Sequence, residues 1–310
     1  MGAARKALLW ISENRRIRQS LPKYQFVRRA VSRFMPGEEL EDAMEAAGRL
    51  QNNSINTIFT HLGENVTDLS EAKQVADHYL GSLKKIRSKG LDTHISVKLT
   101  QLGLDLGEDV CLTNFLSIVE QAKQHQTIVW IDMEQSQYVD RTVHIFREAR
   151  KKYSNVGLCL QAYLRRCEDD IKALLPLSPK IRLVKGAYLE SPAVAFPRKA
   201  DVNENYFKLS KILLSNIKEN KVGFGVATHD RLLIGMIRKE AENLGLGKKD
   251  YEFQLLYGVQ AEEQLRLAKE GYNVRTLISY GTFWFPWYVR RLAERPANVW
   301  FVVKNMMRIG

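Results

Sequence analysis

Residues 128–188 read IVWIDMEQSQYVDRTVHIFREARKKYSNVGLCLQAYLRRCEDDIKALLPLSPKIRLVKGAY. Three short apolar runs stand out in them: Ile128–Glu134, Val156–Tyr163 and Ile181–Tyr188. Such runs read as strands covered on both faces, and the longer segments between them repeat apolar residues every three or four positions, as amphipathic helices do. Each run also ends in side chains capable of chemistry: Asp132 and Glu134, then Gln161, then Lys185.

The alternation continues in both directions, with strands expected at Thr57–Gly63, His94–Thr100, Val222–Thr228, Tyr251–Tyr257 and Val274–Tyr280. Eight strand–helix units predict an α/β fold of the TIM type, a (β/α)₈ barrel. An open doubly wound sheet is the alternative. The barrel is favoured because Lys98, Asp132, Glu134, Gln161, Arg182, Lys185, Thr228, His229, Glu252 and Gln254 are all expected at C-terminal strand ends, where eight loops converge on one site. A dinucleotide-binding turn finds no support, since Gly223-Phe-Gly225-Val-Ala-Thr228 lacks the third glycine. Residues 1–50 are expected to form an N-terminal helical arm, its last helix running from Glu38 to Leu50, and residues 51–310 the catalytic barrel.

Composition sets the outer limits. The chain has 310 residues, 45% hydrophobic and 26% charged, which excludes intrinsic disorder, and three cysteines, too few for a disulfide scaffold. No stretch approaches a membrane span, and MGAARKALLWISENRRIRQS lacks the apolar run and cleavage site of a signal peptide, so a cytoplasmic protein is expected. The net charge is +12, and residues 1–40 hold nine basic side chains against three acidic ones, a surplus of six. That surplus fits a solvated helical face or an anionic lipid surface. Too few aromatics interleave with the arginines for nucleic-acid stacking.

No metal site is expected, because the six histidines form no HxH or HExxH and the cysteines no CxxC. A Ser/His/Asp hydrolase is unsupported without a GxSxG elbow. Lys98 and Lys185 lie inside apolar runs, where an ammonium is costly unless paired. Two readings stay open: a Schiff-base lysine of an aldolase-like barrel, or a cation that holds an anionic ligand. His229 reads equally as a ligand contact or a core histidine. Near the C-terminus, Arg290, Arg291 and Glu294 follow the aromatic run Phe283-Trp-Phe-Pro-Trp-Tyr288. Adjacent arginines sit about 100° apart on a helix, so both can reach one carboxylate, and Glu294 can orient Arg290.

On Arg33-Phe-Met-Pro-Gly37, Ser96-Val-Lys-Leu99, Asp132-Met-Glu134, Gln161-Ala-Tyr163, Arg182-Leu-Val-Lys-Gly-Ala-Tyr188, Ala227-Thr-His229, Tyr251-Glu-Phe-Gln-Leu-Leu-Tyr-Gly258 and Arg290-Arg-Leu-Ala-Glu-Arg-Pro-Ala-Asn298, the chain resembles the monofunctional bacterial proline dehydrogenases over essentially its whole length. The resemblance implies a distorted (β/α)₈ barrel that uses FAD to oxidise L-proline and passes electrons to membrane quinone, working at the inner face of the membrane. It implies catalytic roles for Lys98, Asp132 and Arg182, the last near the flavin N5. Lys98, Arg290 and Arg291 would hold the substrate carboxylate, with Asp132, Ala187 and Leu256 lining the pocket. Flavin contacts would come from Gln161, Arg182, Val184, Lys185, Gly186, Ala187, Thr228 and His229, with Glu294 on the cofactor side and fixing the arginine pair. Leu277 and Trp287 stand where the family carries tyrosines beside the substrate ring, which opens 4-hydroxyproline or another cyclic amino acid as an alternative substrate.

Overall fold

A computed structural model describes residues 31–63, 65–285 and 288. Helix α1 (Leu40–Gln51) precedes eight strands: β1 (Asn56–His61), β2 (Thr93–Val97), β3 (Val129–Ile131), β4 (Val156–Gln161), β5 (Lys180–Val184), β6 (Gly223–Val226), β7 (Glu252–Leu256) and β8 (Asn273–Tyr280). Between them lie α2 (Leu69–Ser88), α3 (Glu108–Gln124), α4 (Val139–Arg150), α5 (Cys167–Leu174), α6 (Lys199–Glu219), α7 (Arg231–Asn243) and α8 (Ala261–Lys269). All eight strands are parallel and the sheet closes β8 onto β1, which removes the doubly wound alternative.

The strands stop earlier than their composition suggests. Lys98, Asp132, Glu134 and residues 185–188 fall just past strand ends. Lys98 caps the 3₁₀ turn Leu99–Leu102, whose residues are all buried. The chain there stays apolar because Leu99 and Leu102 join the main core against α2 and α3, although it no longer pairs with a neighbouring strand. Helix α2 illustrates how the wall forms. Asp68 caps its N-terminus by accepting from Glu71 N at 2.8 Å, and Ala72, Ala76, Tyr79, Leu83 and Ile86 make one buried stripe at helical spacing. The inner faces of the helices and the outward strand residues form the main core, which α1 joins through Leu40, Ala43, Met44, Ala46 and Ala47. No helix of the described residues is long and apolar enough to cross a membrane.

Register decides what faces the lumen. Ile58 pairs with His94 and Leu277, Ser96 with Thr60 and Trp130, Trp130 with Gly157, Cys159 with Arg182, and Arg182 with Gly225. These residues share the inward face. A Cβ on Gly157 would lie 2.4 Å from the Trp130 ring, so only glycine there lets the indole cross the lumen. At the N-terminal end, Arg275 binds Glu252 at 3.0 Å and Asp92 at 2.9 Å, and donates to the Thr57 carbonyl at 3.1 Å. Glu252 therefore corrects the sequence reading. As the first residue of β7 it lies at the end opposite the site and neutralises a buried arginine. Gln254, in mid-strand, donates to Glu252 at 2.9 Å and belongs with that network.

Candidate active site

The C-terminal strand ends place most of the expected residues on one rim. Gln161 pairs in register with Val184, and Leu256 with Leu277, while Asp132 N donates to the Val97 carbonyl at 2.8 Å. Lys98, Asp132, Gln161, Val184, Thr228, Leu256 and Leu277 thus follow one another around the mouth. Val184, Leu256 and Leu277 are only half-buried although they face inward, the mark of an open upper lumen. Gly186 has φ +113° and a Cβ there would meet the Tyr163 ring at 2.2 Å, so glycine carries the chain close over Tyr163 at the head of the loop that follows β5.

Arg182 is the centre of the polar arrangement. It is 3% exposed, donates through Nη2 to Ser96 Oγ at 2.7 Å, and lies 3.3 Å from Asp132 Oδ1. Ser96 Oγ in turn donates to Asp132 Oδ1 at 2.8 Å. Beneath the guanidinium, 5.1 Å from its carbon, is the Trp130 ring, whose Nε1 donates to His94 Nδ1 at 3.1 Å. Burial, then Arg275 and Arg182, hold His94 well below the usual histidine range, so it stays neutral and can accept that bond. Ser96, Trp130 and His94 were not singled out from the sequence. A serine, a tryptophan and a histidine in apolar strands look ordinary until the barrel brings β2 and β3 to one arginine on β5.

The two strand lysines differ. Lys185 donates to Asp230 at 2.8 Å and to Asn203 at 2.7 Å. Burial works against the Asp230 carboxylate, but the Lys185 contact outweighs it and holds Asp230 below the usual range. Lys98 is buried, and among the described residues it makes no ion pair with a carboxylate. It lies near enough to His61 that burial, His78 and Lys98 together lower that histidine to about 4. His229 Nε2 accepts from Leu256 N at 3.0 Å, which fixes its tautomer and ties the β6 end to β7. Thr228 Oγ1 accepts from Asp230 N at 3.2 Å. Ala187 lies half-buried in the loop after β5.

Five polar atoms on inward-facing residues have no partner among the described residues: Thr60 Oγ1, Gln161 Oε1, Arg182 Nε, Gln254 Oε1 and Ser279 Oγ, of which those of Gln161, Arg182 and Ser279 lie toward the C-terminal strand ends. Buried polar atoms are normally satisfied, so an unpaired set around one opening marks where a polar ligand completes the site. Trp287, Arg290, Arg291 and Glu294 lie outside the described residues.

Comparison with known proteins agrees over nearly the whole chain. The model of the proline dehydrogenase family matches residues 43–304. Proline dehydrogenase 1 of Bacillus subtilis subsp. natto is 38% identical over 304 residues, spanning 98% of this chain and 99% of the relative. Proline dehydrogenase of Deinococcus radiodurans is 35% identical over 309 residues, spanning 98% of each. The crystal structure of proline utilization A from Bdellovibrio bacteriovorus, inactivated by N-propargylglycine, superposes with a TM-score of 0.81 at 23% identity and covers 93% of this chain. This chain spans only 36% of that longer protein, so the likeness speaks to the barrel alone. With a barrel of the same architecture and more than a third of its residues identical over full-length relatives, the chain belongs to the proline dehydrogenase family.

Proposed function

We propose that this protein oxidises L-proline to 1-pyrroline-5-carboxylate, the first step of proline catabolism, with FAD as resident cofactor. Residues 51–310 serve as the catalytic unit and residues 1–50 as an arm. The observation that carries this reading is the barrel mouth itself, where a buried lysine without a carboxylate partner and the unpaired Gln161, Arg182 and Ser279 atoms surround one opening among the described residues. That donor set fits a flavin: an amide oxygen, a guanidinium N–H and a hydroxyl can meet the ring's polar edge. When bound, the flavin supplies the two-electron acceptor.

The protein's own residues then bind, orient and balance charge. Lys98, with Arg290 and Arg291, holds the substrate carboxylate. Ala187, Leu256, Leu277 and Trp287 enclose the ring. Asp132 offsets the cationic surround, while Arg182 stabilises negative charge where the cofactor gathers it. Gln161, Val184, Lys185, Gly186, Thr228 and His229 form the cofactor side, with Glu294 steadying the arginine pair. Lys185 is already occupied by Asp230 and Asn203, so it orders the loop at the cofactor's edge instead of acting as a Schiff-base nucleophile. Electrons leave to a membrane quinone, reached from the cytoplasmic side.

Purified protein should be yellow, and anaerobic L-proline should bleach the flavin absorbance. Colourless protein that takes up no FAD on reconstitution would overturn the reading.

A further inference from the structure

We propose that Ser96 is a positioning residue for this oxidation: its hydroxyl stands between Asp132 and Arg182 and keeps the guanidinium from closing onto the carboxylate. This rests on the reading that a flavin occupies the barrel mouth.

The hydrogen bonds leave the hydroxyl one arrangement. A guanidinium can only donate and an ionised carboxylate can only accept. Ser96 Oγ therefore accepts from Arg182 Nη2 at 2.7 Å and gives its single proton to Asp132 Oδ1 at 2.8 Å. The direct Nη2 to Oδ1 separation is left at 3.3 Å, longer than a charge-assisted hydrogen bond, which lies near 2.8 Å. The serine itself cannot drift. It is fully buried in the middle of β2, paired in register with Thr60 and Trp130, and its carbonyl accepts from the buried Tyr79 hydroxyl at 3.1 Å.

The consequence falls on Arg182. Ser96 holds one edge of the guanidinium, the Trp130 ring supports its face, and Nε remains without a partner among the described residues. A direct Asp132–Arg182 pair would draw the cation toward β3 and cancel more of its field at the mouth. Without the hydroxyl nothing prevents that closure. A cation beside a flavin favours the reduced form, which carries more negative charge, so a more neutralised Arg182 should make the flavin harder to reduce.

The test compares the FAD-loaded parent with Ser96→Ala and Ser96→Thr, the latter keeping the hydroxyl. Ser96→Ala should retain its flavin content and far-UV circular dichroism. Its flavin reduction equilibrium should fall about tenfold, equivalent to a midpoint potential about 30 mV lower for a two-electron couple. Anaerobic bleaching at saturating proline should slow by about tenfold, with half-saturation shifting less than threefold. Ser96→Thr should recover most of both losses. If Ser96→Ala fails to fold, Ser96→Cys, close in size but a weak donor and acceptor, should show the same lowered potential. A parent-like potential and bleaching rate in the hydroxyl-free variant overturns the role of Ser96 while leaving the proposed function intact. A threonine variant as impaired as alanine also overturns it, since volume would then be the cause. A parent protein that binds no FAD overturns both readings.

Discussion

Leu277 shows how one side chain can adjust this site. It is the only residue in the interior of β8 that is not buried, and its pairing with Ile58 and Leu256 turns it into the lumen. A branched aliphatic there is shorter than a tyrosine and brings no hydroxyl, so it leaves space beside a bound ring. Leu277→Tyr should raise the ratio of kcat/KM for proline over 4-hydroxyproline by roughly 5- to 160-fold, the 1–3 kcal/mol that one group in an apolar pocket can discriminate. Steady-state kinetics on the two substrates measures it, and an unchanged ratio would make position 277 a packing variation. At this scale the sequence was legible where a residue type is out of place. Lys98 and Lys185 stood out as cations in apolar runs. Ser96 did not, because its importance lies in two partners 36 and 86 positions away.

Elements meet where the chain before the barrel touches the chain after it. Gly258, in the turn between β7 and α8, has φ +71°, and a Cβ there would lie 1.6 Å from the Arg33 carbonyl oxygen. Glu38 links the same region to the end of β8: its carbonyl accepts from Gly281 N at 2.8 Å and its carboxylate from Trp284 Nε1 at 2.8 Å. Gly258→Ala combines an unfavourable backbone conformation with a clash that only movement of residues 33–34 can relieve. It should cost about 2 kcal/mol or more, seen as a lower urea midpoint with an unchanged slope. A loss under about 0.5 kcal/mol would mean that residues 33–34 move aside freely. The strands and helices were readable from periodicity. Strand ends were not, because residues such as Asp132 and Lys185 keep strand-like neighbours after leaving the sheet. Glu252 was misplaced for a related reason, since composition does not say which end of a strand a charge occupies.

For the whole molecule, the eight-unit pattern was enough to name the barrel, whereas closure had to be seen to decide what shares the lumen. The charge is as uneven as the chemistry: half of the net +12 sits in residues 1–40. If that arm meets an anionic bilayer, each basic side chain near the surface contributes about 1 kcal/mol. The protein should co-sediment with vesicles rich in anionic lipid at low salt and detach as salt rises, and it should ignore zwitterionic vesicles. Binding that is absent or indifferent to salt would count against an electrostatic approach to the membrane. The filled lower barrel has a consequence in traffic. Trp130 crosses it with His94 against its ring, Ile58 and Cys159 share the inward face, and Arg275 closes the floor, all of them buried. Among the described residues, a molecule that enters at the strand C-termini cannot leave through the barrel floor, so reactant and product come and go at the same end of the barrel, and each departure is the condition for the next arrival.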